Sequence, residues 1–160
     1  VLADDPLLNV REWGGPSPQP IVLDSSQRLP INSKICRENN QKPWVLSNLR
    51  VEDNQDTFEQ IVVDSDSEGR VDLESAMSAI YARGINTLMV EGGATVIASF
   101  LKAQLADAII LTIAPVLVGG YKAVNTLIND SIFPRIVALN SHQQDDEIII
   151  WGEIDYKNPI

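Results

Sequence analysis

The residues Glu91-Gly92-Gly93 lie between a short apolar run and a segment with helical spacing, an arrangement that can hold a phosphate group. Two glycines let the backbone turn tightly, and the N–H groups and positive dipole end at a helix start attract anions. The sequence has neither the Gly-x-Gly-x-x-Gly fingerprint nor a P-loop lysine, so a purely structural strand-to-helix turn stays an alternative. Glu91 is either a ligand contact at the end of a strand or a solvated loop acid.

Other charged residues could also take part in chemistry, and each has a simpler explanation. Asp4 and Asp5 precede a proline, so they are either paired carboxylates or part of an Asx turn. Arg11 and Arg28 could each bind a phosphate through two hydrogen bonds, although a surface ion pair is the usual role of an isolated arginine. His142 lies in a polar stretch, where we expect a solvated loop histidine.

Composition and charge exclude several classes of function. The chain has 160 residues, 44% hydrophobic and 21% charged, which is typical of a single globular domain. Its formal net charge of −10 argues against nucleic acid or an anionic membrane as a partner. One histidine and one cysteine leave no intrachain disulfide and no Cys-rich or His-based metal site. No apolar run is long enough to span a membrane. We expect a soluble, cytoplasmic protein without a bound metal.

The hydrophobic spacing predicts the elements that position these residues. Short apolar runs predict strands at residues 20–24, 43–47, 60–64, 86–90 and 108–114, with two more at 132–139 and 147–154 joined by a polar connection at 140–146. Apolar residues at i, i+3 and i+4 predict one helix from the N-cap Asp72 to a stop at Gly84, and a second over 94–105. The middle of the chain has a βαβ rhythm and the end is antiparallel, so we expect an α/β fold with one mixed sheet flanked by helices.

Four motifs occur in the order typical of one known family. They are Leu2-Ala-Asp-Asp-Pro-Leu-Leu-Asn-Val-Arg11, then Val22-Leu-Asp-Ser25 with Arg28-Leu-Pro30, then Val90-Glu-Gly-Gly93, and Thr112-Ile-Ala-Pro115 with Gly119-Gly120. Together they resemble the riboflavin-biosynthesis reductases, which use NADPH to reduce a diaminopyrimidine or aminouracil ribosylamino 5′-phosphate. The resemblance covers nearly the whole chain and implies a dihydrofolate-reductase-like mixed β-sheet flanked by helices. Residues 144–152 are similar to the closing strand of the stand-alone fungal type.

The resemblance also assigns roles to individual residues. Asp4 and Ser25 match contacts to the NADPH cofactor, and Leu7, Arg11 and Glu91 match contacts to the substrate. Arg11 is suited to the substrate 5′-phosphate, and Glu91 is the candidate catalytic residue, holding sugar hydroxyls or relaying a proton. The segment expected to wrap the cofactor phosphates consists of Gly92, Gly93, Ala94, Thr95, Val96, Ile97, Ala98 and Ser99.

Family members carry a further strand and helix ahead of the Ala-Asp-Asp-Pro motif, whereas this sequence opens at Val1. We therefore expect residues 1–160 to form a single reductase domain that is incomplete at its amino terminus and, like its family, homodimeric. Two alternatives stay open. One is a non-catalytic truncated remnant that at most binds a nucleotide, and the other is a reductase of the same fold with a different substrate.

Overall fold

The computed structural model describes residues 4–11, 14–50, 56–117, 123–124 and 134–157. The chain divides into two compact units, Val1–Thr87 and Leu88–Ile160, and each is described by itself. Parallel pairing in the first unit and antiparallel pairing in the second confirm the predicted α/β fold class. A single domain over residues 1–160 stays a prediction. None of the helices in the described ranges is long and apolar enough to cross a membrane.

The first unit contains a parallel three-stranded sheet and two helices. The sheet has the order β1-β2-β3, formed by β1 (Ile21–Leu23), β2 (Trp44–Ser47) and β3 (Glu59–Val62). The helices are α1 (Lys34–Arg37) and α2 (Leu73–Tyr81). The three strands predicted in this region are confirmed to within two residues at each end. Their register places Val22 beside Val45, and Leu46 beside Ile61.

The core of the first unit is a cluster of Val22, Ile35, Val45 and Phe58, which we name the core cluster. Ile35, on α1, is completely buried. The sequence analysis missed α1, because four residues are too few to show a helical period. Burial of Ile35 against the two strands therefore stabilises a turn of helix that its local sequence does not predict.

Helix α2 follows the sequence prediction closely. Its N-cap is Asp72, whose side chain accepts a 2.8 Å hydrogen bond from Ser75 N. Ala76 and Ile80 are buried on its inner face. The helix ends at Tyr81, and Gly84 has a φ of 87°, a left-handed conformation that glycine adopts without strain.

The second unit consists of one helix and an antiparallel three-stranded sheet of order β4-β6-β5. Its elements are α3 (Ala94–Lys102), β4 (Ala108–Ile113), β5 (Arg135–Gln144) and β6 (Glu147–Asp155). The predicted helix at 94–105 and the predicted strands at 108–114 and 147–154 are confirmed. Val1, the start of the predicted strand at 132–139, Gly119 and Gly120 lie outside the described residues.

The predicted polar connection at 140–146 is wrong, because β5 continues to Gln144 and only Asp145 and Asp146 form the turn. His142 is accordingly an exposed strand residue that pairs with Ile149. Asp145 has a φ of 53°, which suits a two-residue hairpin turn. Polar side chains are tolerated in β5 because its residues are largely exposed to solvent.

The predicted strand at 86–90 is also wrong, because these residues join neither of the two sheets of the described chain. Met89 is 75% exposed and Val90 is at the surface as well. An apolar run indicates burial, but a strand also needs a neighbouring edge that accepts its backbone hydrogen bonds.

A β-bulge in the second unit explains one of its glycines. Val137 pairs with Glu153 and Asn140 with Trp151, so two residues of β5 lie opposite Gly152 alone. A Cβ atom added at Gly152 would lie 2.5 Å from the Val137 carbonyl oxygen and 2.6 Å from a methyl group of Ile136. No other residue fits this position without moving the strand.

Replacing Gly152 should therefore destabilise the protein. We expect Gly152→Val to lower the free energy of unfolding by about 2 kcal/mol, because overpacking forces the backbone apart. The measurement is urea unfolding followed by circular dichroism. Gly14→Val is the matched control, since a Cβ there would meet nothing within 4 Å. A Gly152→Val protein as stable as this control would contradict the steric explanation.

Candidate functional site

Residues 4–11, which we name the strap, carry three of the predicted ligand contacts. The strap backbone is left-handed at two residues, with φ values of 41° at Asp5 and 53° at Leu8. This conformation costs a non-glycine residue about 1–3 kcal/mol and persists only where neighbouring contacts impose it. The contacts that impose it identify what shapes this part of the site.

The first of these contacts separates the roles of the two neighbouring acids in the strap. Asp5 Oδ1 accepts a 2.9 Å hydrogen bond from the backbone N–H of Lys34, the first residue of α1. Asp5 therefore has a structural role at a helix start. Asp4 is exposed beside it, as a ligand contact must be.

The middle of the strap is held by one side-chain amide and one buried side chain. Asn39 Nδ2 donates a hydrogen bond to the Leu7 carbonyl oxygen, and the side chain of Leu8 packs against the core cluster. Further along, Val10 N donates to Ser17 Oγ at 3.2 Å. Every anchor of the strap thus comes from the first unit itself.

The three predicted contacts on the strap differ in exposure. The side chains of Asp4 and Arg11 are exposed, and Leu7 is half-buried. The structure therefore places a carboxylate, an apolar side chain and a guanidinium on one short segment. This segment can present an acid, an apolar contact and a cation to bound molecules.

Ser25, the fourth predicted contact in this unit, follows the carboxyl end of β1 and is half-buried. Its Oγ accepts a 2.8 Å hydrogen bond from Val71 N, which leaves the hydroxyl proton to be donated elsewhere. The preceding residue, Asp24, shapes the turn by accepting from Arg28 N at 3.0 Å and Leu29 N at 2.8 Å. The side chain of Arg28 is exposed.

The loop at residues 64–72, which holds Ser25 in place, is stiffened by its own charges. Asp66 Oδ1 accepts from Glu68 N at 2.9 Å and from Arg70 N at 2.8 Å. The Arg70 guanidinium lies 3.0 Å from the second oxygen of Asp66. The pKa of Asp66 is lowered, first by the hydrogen bond from the Arg70 backbone N–H, so the carboxylate stays charged well into acid.

In the second unit the two glycines before α3 differ in what the protein requires of them. A Cβ at Gly92 would approach Val96 Cβ to 3.1 Å, so packing against the helix favours glycine there. A Cβ at Gly93 would meet nothing within 4 Å, and its φ of −70° is open to any residue. The space above Gly93 is therefore open to a ligand, and the chain itself gives no reason for glycine at this position.

Gly93 is the N-cap of α3, and no side chain caps this helix start. The helical ladder begins with Val96 N and Ile97 N, which both donate to the Gly93 carbonyl at 3.0 and 3.3 Å. The N–H groups ahead of this ladder point out of the helix start, as in any α-helix. With the positive end of the dipole, they form an anion-binding arrangement.

The remaining predicted cofactor contacts occupy successive turns of α3, and their exposure differs. Ala98 is buried in the second unit, and Ser99 Oγ donates to the Thr95 carbonyl at 3.0 Å. Glu91 is exposed in the segment before the helix. A ligand can reach the start of α3 most easily, at Glu91, Gly92, Gly93 and Thr95.

Two residues that shape the site were not found from the sequence. Asn39 holds the strap and Val71 holds Ser25, each through a hydrogen bond to a residue more than thirty positions away. A backbone N–H carries no sequence signal, and an asparagine after a four-residue helix has no periodic pattern around it. Among the described residues, no three His, Cys, Asp or Glu side chains cluster so as to hold a metal ion.

Comparison with known proteins identifies a family and several relatives. The model of the RibD C-terminal domain matches residues 1–150. The chain is 31% identical over 131 residues to the 2,5-diamino-6-ribosylamino-4(3H)-pyrimidinone 5′-phosphate reductase of Archaeoglobus fulgidus, covering 75% of this chain and 60% of that protein. It is 34% identical over 132 residues to the protein of the same name from Methanothermobacter thermautotrophicus, covering 77% and 59%. The chain thus spans about 60% of the length of these curated relatives.

Two solved structures show the same fold. The riboflavin biosynthesis reductase of Saccharomyces cerevisia gives a TM-score of 0.76 at 21% identity, over 96% of this chain and 71% of that one. A Thermotoga maritima diaminohydroxyphosphoribosylaminopyrimidine deaminase/5-amino-6-(5-phosphoribosylamino)uracil reductase gives 0.78 at 24% identity, over 96% and 42%. These likenesses support the dihydrofolate-reductase-like fold, and the family match confirms the resemblance that the four motifs indicate. From its match over residues 1–150, the chain belongs to the RibD C-terminal domain family.

Proposed function

We propose that this protein is an NADPH-dependent reductase of riboflavin biosynthesis. Its substrate would be the ribosylamino 5′-phosphate of a diaminopyrimidinone or aminouracil, which it reduces to the ribitylamino compound. The family and the names of its relatives support this activity. The structural observation that carries the proposal is the uncapped start of α3, with open space above Gly93.

The start of α3 fits the cofactor's phosphates. Its outward N–H groups and dipole suit a pyrophosphate, and no Cβ at Gly93 obstructs the approach. In the first unit, Ser25 has a hydroxyl proton to donate, and Asp4 has an exposed carboxylate that can accept from a ribose hydroxyl or an amide. When bound, NADPH supplies a hydride.

The strap fits the phosphorylated substrate. Arg11 presents a guanidinium, whose planar fork matches a phosphate through two hydrogen bonds. Leu7 offers an apolar side chain against which a pyrimidine ring can pack. Glu91, exposed before α3, can accept hydrogen bonds from the sugar hydroxyls.

The reaction requires positioning and one proton more than it requires a nucleophile. When the ribosylamine ring opens, it leaves a C=N double bond between the sugar carbon and the amine. Reduction adds a hydride to that carbon and a proton to the nitrogen. Glu91 is the residue that we propose to relay this proton, because its carboxyl group is exposed in the segment before the helix.

A second copy of the chain is the partner that we propose for the sheet of the second unit. Leu111, Ile113 and Ile148 lie on one face of it, since Ile113 pairs with Ile148 and alternate residues share a face. Ile113 and Ile148 remain 51% and 45% exposed, more than an isolated apolar face tolerates well. A cytoplasmic location is also part of the proposal, since a single cysteine can form no intrachain disulfide.

The cofactor role of Gly93 can be tested by filling the space above it. Gly93→Val should weaken NADPH binding at least tenfold, a loss of about 1.4 kcal/mol, because the added methyl groups occupy the approach to the helix start. Stability should change little, since the side chain meets no protein atom within 4 Å. Titration calorimetry with NADPH measures the affinity, and circular dichroism checks the fold.

Ala103→Val is the matched control, since it adds similar bulk at the C-cap of the same helix, where no N–H group faces outward. This variant should bind NADPH as the parent does. Equal affinity in the parent and the Gly93→Val protein would place the phosphate site elsewhere.

The substrate role of Arg11 predicts a selective kinetic effect. Arg11→Ala should raise the KM for the phosphorylated substrate by about ten- to a hundredfold, since a charge-assisted hydrogen bond contributes about 1.5–3 kcal/mol. The KM for NADPH should stay nearly constant. Steady-state oxidation of NADPH measures both constants, with Arg37→Ala as a control that removes an exposed arginine of α1. Equal changes in both KM values would remove Arg11 from this role.

The proposed dimer predicts a change of mass on introducing charge into its face. Ile113→Lys should convert a dimer into a monomer, because a buried, unpaired ammonium opposes association. Light scattering coupled to size-exclusion chromatography gives the mass. Ile31→Lys, at an exposed position of the first unit, should leave the dimer intact. A parent protein that is already monomeric would show that no second copy covers this sheet.

A further inference from the structure

The left-handed turn of the strap at Leu8 is fixed from both sides. On one side the Leu7 carbonyl accepts from Asn39 Nδ2, and on the other Val10 N donates to Ser17 Oγ. Between them the Leu8 side chain is packed against the core cluster. The peptide plane between Leu7 and Leu8 therefore has one orientation, and its carbonyl points to Asn39.

The orientation of this plane determines where the flanking side chains point. The plane sets ψ of Leu7 and φ of Leu8, so it sets the directions in which the chain enters and leaves the turn. Leu7 lies just before the plane, and Arg11 follows on the segment that leaves it. If the plane rotated, both of these proposed substrate contacts would move.

Asn39 is placed to pass the position of the core on to the strap. It is half-buried just after α1, and α1 is fixed by the complete burial of Ile35. Its amide nitrogen also lies 3.5 Å from the Ile35 carbonyl, at the outer limit for a hydrogen bond, so the Leu7 carbonyl is its main acceptor.

We propose that Asn39 is a positioning residue for the substrate. It acts through the Leu7 carbonyl, holding the strap in the left-handed form that presents Leu7 and Arg11. This inference rests on the proposed function, because it takes these two residues as substrate contacts. Asn39 itself touches no substrate and takes no part in the transfer of hydride or proton.

The test compares two isosteric changes of amide to carboxylate in the first unit. Asn39→Asp removes the donor to Leu7 and places an acceptor against a carbonyl oxygen. Gln19→Glu is the matched control, since the Gln19 side chain donates a 2.7 Å bond to the Lys42 carbonyl, away from the strap, and the substitution makes the same change in charge. Asn39→Ala adds a variant that loses the donor without gaining a charge.

We expect Asn39→Asp and Asn39→Ala each to raise the KM for the phosphorylated substrate about tenfold, with kcat changed less than about twofold. The KM for NADPH and the temperature of unfolding should stay close to those of the Gln19→Glu protein. This split between the two KM values distinguishes positioning from a general loss of structure. Unchanged substrate KM in both Asn39 variants, or a fall in kcat with an equal rise in both KM values, would overturn the proposal.

Hydrogen exchange separates this proposal from the proposed function. In both Asn39 variants the amides of residues 8–10 should exchange at least tenfold faster than in the parent, while those of β2 should not change. Unchanged exchange would overturn the anchoring role whatever the kinetics show. A parent protein that binds NADPH but does not turn over the substrate would instead contradict the proposed function, and the substrate role of Asn39 with it.

Discussion

The burial of Ile35 in the core cluster is the contact on which the strap depends. Helix α1 has four residues and could not persist on its own, so packing of this side chain against β1 and β2 must hold it in place. Once α1 is fixed, Lys34 N and Asn39 stand where Asp5 and Leu7 need them. A strained backbone in the proposed substrate segment is thus stabilised by an ordinary hydrophobic contact elsewhere.

The start of α3 depends on a different constraint, which acts within a few residues. Gly92 is needed so that the chain can pass Val96, whereas Gly93 meets no such limit. The dipole and the outward N–H groups belong to any helix of this length. Only the open space above Gly93 distinguishes this helix start from a purely structural turn, and so the alternatives that the sequence left open are best separated at that residue.

The sequence predicted best those elements whose signals lie within the element. Asp72 and Gly84 mark the ends of α2 through capping and backbone conformation, which depend on a few neighbouring residues. It failed where partners decide the outcome, as for the apolar run at 86–90, which joins neither described sheet, and for β5, which continues through His142. The site divides in the same way, because the four motifs indicated its ligand contacts but not Asn39, whose role depends on a contact across the fold.

The net charge of −10 gives these local arrangements their weight. Both proposed ligands carry phosphate, and the summed field of the protein repels them at long range. Attraction must then come from donors at short range, where geometry decides its strength. Arg11 and the N–H groups at the start of α3 are such donors, and each works only if its backbone is held still. An acidic chain that binds anions therefore needs rigid anchors such as Asn39 more than it needs additional positive charge.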